Sequence, residues 1–256
     1  MLNFLRKIRR KEMNGKYLKY AIGEIVLVVI GILIALSISS LNQDIKDTKE
    51  ERIYLKNIKR DIMAQIAGVE RNIRGEKSIV ENLELAEKAY NFETGFQISQ
   101  TSLRSLTALS DRFTFNLVNP TYKELLSTGK IELISDQETK DKLMRYYENL
   151  ELWGIIIQKN NDTKDFSFLP QLFTLFEMAG VNSRNVDLDN PRVNSSFDGY
   201  NTPARILRLI SVSLKKPENE LALLNLIRFG QNVASFNLEA CETIKTESQK
   251  MLRALD

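Results

Sequence analysis

An uninterrupted apolar segment near the start of the sequence limits what this chain can fold into. Between Lys19 and Asp44 lie 24 residues that carry a single charge, on Glu24. Ten of the twelve residues from 25 to 36 are Ile, Val or Leu. A helix of this length extends about 36 Å, enough to cross a hydrocarbon core of about 30 Å. The segment 20–43 is therefore predicted to be a transmembrane helix.

The energetics of insertion favour this prediction. The apolar residues contribute about −3 to −6 kcal/mol, and Glu24 lies near one end, where a charge costs less than the ~3 kcal/mol of a central position. The alternative is a cleavable signal peptide, for which Ser37-Ile38-Ser39 could serve as a cleavage site. The apolar regions of signal peptides are shorter than this one, which favours a retained anchor.

Basic residues concentrate on the N-terminal side of the segment. Residues 1–19 hold seven Lys or Arg against one acid, whereas the rest of the chain holds 29 basic and 32 acidic residues. The positive-inside rule therefore predicts a basic cytoplasmic tail, 1–19, and an extracytoplasmic domain, 44–256, although residues 44–60 are also rich in Lys and Arg. In a Gram-negative cell this places the anchor in the inner membrane and the domain in the periplasm. The predicted cytoplasmic anchor, in contact with membrane lipids, comprises Arg6, Lys7, Arg9, Arg10, Lys11, Lys16, Tyr17, Lys19 and Tyr20.

Composition excludes several classes of function. The chain has no His and one Cys, which excludes histidine metal sites, a Ser-His-Asp triad, an intrachain disulfide and multi-cysteine metal sites. The net charge of +3 arises from the short tail, so nucleic-acid binding is disfavoured.

A set of small and polar residues shares one face of the predicted membrane helix. At about 100° per residue, Glu24, Gly31, Ala35 and Asn42 project within about 20° of a common line, with Ser39 nearby. Gly31, Ala35 and Ser39 have the small-xxx-small spacing that lets another helix approach closely. This face is predicted to dock a partner helix or a second copy of the chain. Small residues are also common in membrane helices in general, and Glu24 could instead relay protons.

Two stretches of the sequence resemble a family of bacterial single-pass membrane proteins of unknown function. The first is Lys19-Tyr20-Ala21-Ile22-Gly23-Glu24 with the apolar run after it, together with Tyr54-Leu55. The second is 121–134, from Thr121-Tyr122 to Leu133-Ile134, followed by Tyr146-Tyr147. Members of that family often carry Trp after the membrane run, where this chain has Leu41. The resemblance implies a membrane location and a helical body, but no known reaction.

Helical periodicity dominates the rest of the chain. Apolar residues recur three or four apart over about 44–90, with Arg52 and Glu76 interrupting the stripe and Gly68 and Gly75 expected to soften it. A second long helix is predicted over about 217–255, starting at Pro217. Neither can bury its stripe alone, so the predicted fold is all-α: one transmembrane helix continuing into an elongated antiparallel helical bundle. Cys241 is expected in the core of this bundle, the alternatives being an interchain disulfide or a reactive thiol.

Shorter helices are predicted between the two long ones. Their ranges are 121–127, capped by Gly129; 137–159, preceded by Asp136; 165–179; and 203–215. Phe113-Thr-Phe115-Asn-Leu117 alternates like a strand, but a single strand cannot form a sheet.

Three patterns suggest chemistry without establishing it. Asp187, Asp189 and Asp198 match three positions of a calcium loop that lacks its glycine, so a solvated connection is favoured. Ser127-Thr-Gly-Lys130 and Ser213-Leu-Lys-Lys216 match Ser-x-x-Lys without its companion motifs. Carboxylates at Glu81, Glu84 and Glu87 fit a solvated helix face better than a glycosidase pair.

The function predicted from these patterns is that of a membrane-anchored helical interaction or scaffold module, without catalytic, metal or cofactor residues. It would bind a protein partner or itself through the membrane helix. An accessory or sensor subunit of a transporter or signalling complex is the alternative, and a hydrolase without His is the third.

Overall fold

The computed structural model describes residues 15–176 and 201–255 of the chain. It divides into two compact units, residues 1–54 and residues 55–256. Helix α1, Gly15–Glu87, contributes to both. Five residues of the predicted cytoplasmic anchor (Arg6, Lys7, Arg9, Arg10 and Lys11) and the three loop aspartates (Asp187, Asp189 and Asp198) lie outside the described residues, as do the side chains of Lys16 and Tyr17.

The described part of the first unit is the N-terminal portion of α1, whose apolar side chains have no cover within the unit. The large apolar residues from Tyr20 to Leu41 are 47 to 78% exposed. The most apolar window of this helix has a mean hydropathy of 2.8 and no buried residues, so by length and composition it could cross a membrane. Ser37 Oγ donates to the carbonyl oxygen of Leu33 at 2.8 Å, which pairs the hydroxyl without an external partner.

The second unit is a bundle of helices with one small hairpin. Its elements after α1 are β1 Tyr90–Asn91, β2 Gly95–Phe96, α2 Gln100–Leu106, a 3₁₀ turn Thr107–Ser110, α3 Pro120–Ser127, a 3₁₀ turn Lys130–Leu133, α4 Gln137–Thr163, a π-helix Lys164–Phe168, α5 Leu169–Leu175, α6 Ala204–Ser213 and α7 Pro217–Ala254. The all-α prediction is confirmed, since the described strands are two residues each.

Side-chain pairs along α1 and α7 establish that the two long helices run antiparallel. Arg228 Nε lies 3.1 Å from Glu87 Oε1, and Lys245 Nζ lies 2.7 Å from Glu70 Oε1. From the first pair to the second, the residue number increases in α7 and decreases in α1, so the two helices are antiparallel. The predicted stripe of α1 is buried at Ile58, Ile62, Val69, Ile73 and Leu83.

The core lies where α1 and α7 meet the shorter elements. Apolar side chains from several elements make one cluster, which includes Ile79, Leu83, Leu109, Leu172, Leu223 and Ile227. Gly230 of α7 permits this packing, because a Cβ there would lie 2.8 Å from Leu109 Cδ2 and 3.1 Å from Leu83 Cδ1. By contrast, the apolar residues Leu221 and Phe229 of α7 are 59% and 48% exposed.

Local sequence signals determine where the shorter helices begin and end. Asp136 Oδ2 accepts a hydrogen bond from the amide of Thr139 at 2.8 Å, as expected of an N-cap. Gly129 comes after α3 with a φ of 70°, the left-handed conformation predicted for it. Helix α4 continues four residues past its predicted end, to Thr163. The predicted helix 165–179 is a π-helix followed by α5 as far as it is described, and residues 177–179 lie outside the described residues.

Two regions differ from the sequence-based expectation. The hairpin and helix α2, Gln100–Leu106, were not predicted; α2 begins at a reciprocal cap in which Ser99 and Ser102 bond each other's backbone amides. The strand-like pattern at 113–117 is an extended segment that pairs with no other strand of the described chain. Its inward-facing aromatic residues explain the alternation.

Candidate functional site

The extended segment 111–119 is held by buried polar side chains of the helices around it. Asp61 Oδ2 accepts from the amide of Thr121 at 3.1 Å and Gln65 Oε1 accepts from the amide of Val118 at 2.7 Å. Asn72 Nδ2 donates to the carbonyl oxygen of Thr114 at 3.1 Å. These three side chains share one face of α1 and supply the backbone partners that a neighbouring strand would otherwise supply.

Two glycines admit the aromatic side chains of the same segment. A Cβ on Gly75 of α1 would lie 2.2 Å from the Phe113 ring, and one on Gly154 of α4 would lie 2.9 Å from Phe115. Gly75 does not interrupt α1, contrary to the expected softening. It allows the ring to lie directly against the helix backbone.

A buried cluster of charged and amide side chains lies at the start of this segment. We call it the Glu76 cluster; it comprises Glu76, Asp111, Asn160, Asn161, Lys164 and Asn237. Glu76 on α1 and Lys164, the first residue of the π-helix, are each 1% exposed. Lys164 Nζ donates to the carbonyl oxygen of Asp111 at 3.0 Å. π-helical turns inside longer helices are often found at functional sites.

Amide side chains connect Glu76 to α4 and α7. Asn237 Nδ2 donates to Glu76 Oε1 at 3.3 Å, and Asn160 Nδ2 donates to Asn237 Oδ1 at 2.8 Å. Asn161 Nδ2 donates to the carbonyl oxygen of Phe113 at 3.1 Å. Within the described chain, Glu76 Oε2 and Asn161 Oδ1 are buried without a hydrogen-bond partner. The cluster therefore retains unused acceptor capacity.

Burial shifts the proton affinities of the three charged members. Loss of solvation raises the pKa of Glu76 to about 7, although Lys164 and the Asn237 hydrogen bond oppose the rise. Burial likewise raises the pKa of Asp111, against Lys164 and Arg112. Burial lowers the pKa of Lys164, against Glu76 and Asp111. This value places the titration of Glu76 near neutral pH, although the carboxyl is buried inside the bundle.

The sequence indicated only one member of this cluster. Glu76 was visible as a charge that interrupts an apolar stripe. Lys164 comes after Asn160-Asn161-Asp162-Thr163, a stretch that looks solvated. Its hydrogen-bond partner, the carbonyl oxygen of Asp111, is 53 residues away, and Glu76, whose charge acts on it, is 88 residues away. No local pattern connects two such distant residues.

Residues of the second stretch that carries the family resemblance pack together at another level of the bundle. The rings of Tyr122 and Tyr147 stack at 4.2 Å. Tyr146 Oη and Ser248 Oγ are 3.0 Å apart, which joins α4 to α7. Burial raises the pKa of Tyr146 to about 12 and also raises that of Tyr147. These tyrosines stabilise the packing as neutral phenols.

Cys241 lies in the core, as predicted. Its side chain is 2% exposed. Burial, together with the nearby negative charges of Glu76 and Glu242, raises the pKa of the thiol to about 12. Because the thiolate is the reactive form, this cysteine is an inert packing residue in the folded chain.

The remaining candidates for chemistry lie apart from the Glu76 cluster. Ser127 Oγ donates to the carbonyl oxygen of Glu124, and Ser213 Oγ accepts from Asn219 Nδ2. Glu81 and Glu84 are exposed, as expected of a solvated face, whereas Glu87 pairs with Arg228 and Gln231 of α7. Among the described residues, no group of three or more acidic or cysteine side chains could hold a metal ion.

The predicted membrane face lies on the uncovered part of α1. Its members are all exposed: Glu24, Gly31, Ala35, Ser39 and Asn42. A Cβ on Gly31 would meet no atom within 4 Å. Lys19 and Tyr20 of the predicted cytoplasmic anchor are exposed beside it.

Comparison with known proteins relates the chain to a family without assigning it a reaction. No curated protein and no solved structure matches it. Residues 24–167 match DUF6090, described as a family of unknown function. The match includes the apolar segment from Glu24 onward, the extended segment and Lys164, and ends before Asn237. Since it spans more than half of the 256 residues, the chain belongs to the DUF6090 family.

Proposed function

We propose that this protein is a single-pass protein of the bacterial inner membrane, and that it works by binding a protein partner or a second copy of itself. The observation that carries the proposal is the exposure of the whole apolar segment. Its large apolar side chains from Tyr20 to Leu41 are at least 47% exposed. In water such a surface would aggregate, whereas a bilayer covers it.

The proposed topology has the basic tail in the cytoplasm and residues 44–256 in the periplasm. The seven basic residues among the first 19 support this orientation. Tyr20, 78% exposed beside Lys19, suits the membrane–water interface, where aromatic and basic side chains are enriched.

A reporter experiment tests the anchor and its orientation together. Alkaline phosphatase, which folds only outside the cytoplasm, is fused after Asp256 of the full chain, and the membrane and soluble fractions are assayed. The proposal expects phosphatase activity in the membrane fraction. Activity confined to the soluble fraction would indicate a cleaved signal peptide, and a cytoplasmic reporter would refute the orientation.

The proposed contact with a partner helix uses the face of Glu24, Gly31, Ala35, Ser39 and Asn42. Gly31 offers a clean test, because a side chain added there meets nothing within the chain itself. Gly31→Ile should therefore leave the fold intact and weaken helix association through lost close approach. Energy transfer between labelled chains in bilayers measures self-association, and co-purification measures binding of a different protein.

Two control substitutions accompany this test. Ile30→Leu keeps the volume of a neighbouring side chain. Gly23→Ile adds the same bulk at a position that is equally open but turned by about 80° from Gly31. Both should associate as the unchanged chain does. Equal association of Gly31→Ile and the controls would remove the helix-docking hypothesis.

The non-enzymatic interpretation is also part of this proposal. Its support is the burial of the groups with the most perturbed chemistry: Glu76 and Lys164 are each 1% exposed. A substrate would have to open the bundle to reach them. Turnover of a peptidoglycan or ester substrate by the purified chain would contradict this interpretation.

An accessory or sensor subunit is the second candidate, favoured by the Glu76 cluster. A buried carboxylate whose pKa is about 7 responds to pH inside the bundle, as a sensing element must. Affinity purification in mild detergent separates the two candidates. Stable association with a transporter or a kinase would favour the sensor subunit, whereas self-association alone would favour the scaffold.

A further inference from the structure

An open, largely polar cleft beside the β-hairpin has the size of a ligand site. Its volume is about 770 Å³, within the range of small-molecule sites. Leu85 and Lys88 near the end of α1, the aromatic residues Tyr90 and Phe96, and residues around α2 form its walls. The cleft is separate from the Glu76 cluster and the membrane segment, so ligand binding here would not depend on the proposed anchoring or helix docking.

Hydroxyl side chains dominate the polar part of the lining. They belong to Ser99, Thr101, Ser102, Ser105 and Ser211. Two of them are fixed by the cap of α2: the amide of Ser99 donates to Ser102 Oγ at 2.8 Å, and the amide of Ser102 donates to Ser99 Oγ at 3.1 Å. The wall is therefore ordered before any ligand arrives, which lowers the entropic cost of binding.

The remaining polar groups leave both donors and acceptors for a ligand. Asn91 Oδ1 accepts from the amides of Glu93 and Thr94 in the hairpin turn, which leaves its amino group to donate. Gln97 Nε2 donates to Thr94 Oγ1, which leaves its oxygen to accept. Ser211 Oγ donates to the carbonyl oxygen of Leu207 and keeps its lone pairs.

The combination of hydrogen-bond donors and acceptors in the cleft favours some classes of ligand over others. A phosphate is an anion that mainly accepts hydrogen bonds, and the free oxygens of Gln97 and Ser211 do not favour it. Lys88 is the one charged side chain among the described lining residues. A sugar hydroxyl both donates and accepts, as this lining requires. The rings of Tyr90 and Phe96, 4.9 Å apart, add an apolar surface for the face of a sugar ring. We propose that the cleft binds a neutral saccharide of about two rings.

Direct titration of the full chain tests this proposal. The chain is kept in a detergent without a sugar headgroup, and binding of maltose, cellobiose, di-N-acetylchitobiose and inorganic phosphate is measured by calorimetry. At least one disaccharide should bind saturably, with a dissociation constant on the order of 1 mM. Saturable binding of phosphate alone, or of none of the four probes, would overturn the proposal.

Two substitutions locate the binding in the cleft. Thr101 is exposed, so Thr101→Val removes a hydroxyl without disturbing the core. Ser211→Ala removes an acceptor at the other wall. Each should weaken disaccharide binding about fivefold, as loss of one hydrogen bond predicts. Ser127→Ala, exposed and outside the cleft, is the matched control. Binding that both cleft variants retain in full would place the saccharide elsewhere and refute the assignment.

Discussion

Replacing Glu76 by Gln should remove a pH-dependent part of the stability of the bundle. In the unfolded chain this carboxyl has its ordinary pKa of 4.5, whereas in the folded chain the pKa is about 7. Between these values the folded state binds more protons than the unfolded state. The free energy of unfolding therefore decreases as the pH rises from about 4.5 to above 7.

The magnitude comes from the same two values. A tenfold change in proton affinity corresponds to about 1.4 kcal/mol, so the rise from 4.5 to about 7 corresponds to about 3 kcal/mol. For a bundle of this size that is a shift in melting temperature on the order of 5–10 °C. The Gln variant has no carboxyl at this position and should lack this contribution.

The diagnostic is the slope with pH, not the stability at one pH. Gln keeps the acceptor for Asn237 but places an amino group where Glu76 Oε2 has no described partner, and Lys164 loses a negative neighbour. These effects alter the absolute stability in both directions. The raised pKa of Asp111 also contributes a decrease with pH, and it does so in both chains. The difference between the chains therefore reports Glu76 together with its effect on the pKa of Lys164.

Thermal unfolding of the full chain in detergent, followed by circular dichroism between pH 5 and pH 8, measures this difference. The unchanged chain should lose melting temperature across the range relative to Glu76→Gln. Glu84→Gln, an exposed position on the same helix, should behave as the unchanged chain does. Parallel curves for the unchanged chain and Glu76→Gln would show that the carboxyl does not titrate in the bundle, and the reasoning from its burial would be wrong.

Two further predictions concern the packing around this cluster. Gly75→Ala would bring a Cβ to 2.2 Å from the Phe113 ring and should cost about 1–3 kcal/mol of stability. Gly68→Ala makes no contact closer than 3.8 Å and should stabilise the helix by up to about 1 kcal/mol. Urea unfolding of both variants measures this difference, and equal effects of the two substitutions would refute it. Cys241 should react with a thiol reagent at pH 8 only after unfolding, since its thiol is buried with a pKa of about 12; rapid labelling of the folded chain would contradict that placement.

The sequence predicted the helices because their signals are local. The spacing of apolar residues predicted the buried stripe of α1. The helix ends at Asp136, Gly129 and Pro217 were predicted because capping depends only on residues within one turn. The hairpin was not predicted because its strands are two residues long, which is too short to show an alternation of apolar and polar residues. Helix α2 was not predicted for a similar reason. It has seven residues, about two turns, and its cap is formed by two serines that match no distinctive capping motif.

The site was mostly beyond local reasoning, since its hydrogen bonds join residues far apart in the chain. Asp61, Gln65 and Asn72 are polar residues outside the predicted apolar stripe of α1, but they are 8% exposed or less. Their backbone partners lie 60, 53 and 42 residues away. A polar side chain in a helix can be assigned to the interior only when its hydrogen-bond partner is known. The spacing of residues along one helix does not identify that partner.

Lys164 connects the charge of the cluster to the shape of the chain. Its ammonium group donates to the carbonyl oxygen of Asp111, the residue that ends the 3₁₀ turn and starts the extended segment. A neutral amine can still donate there, but a charged one makes the stronger hydrogen bond. Negative charge on Glu76 favours the charged amine. We therefore expect titration of Glu76 to alter, through Lys164, how firmly the segment is held at Asp111.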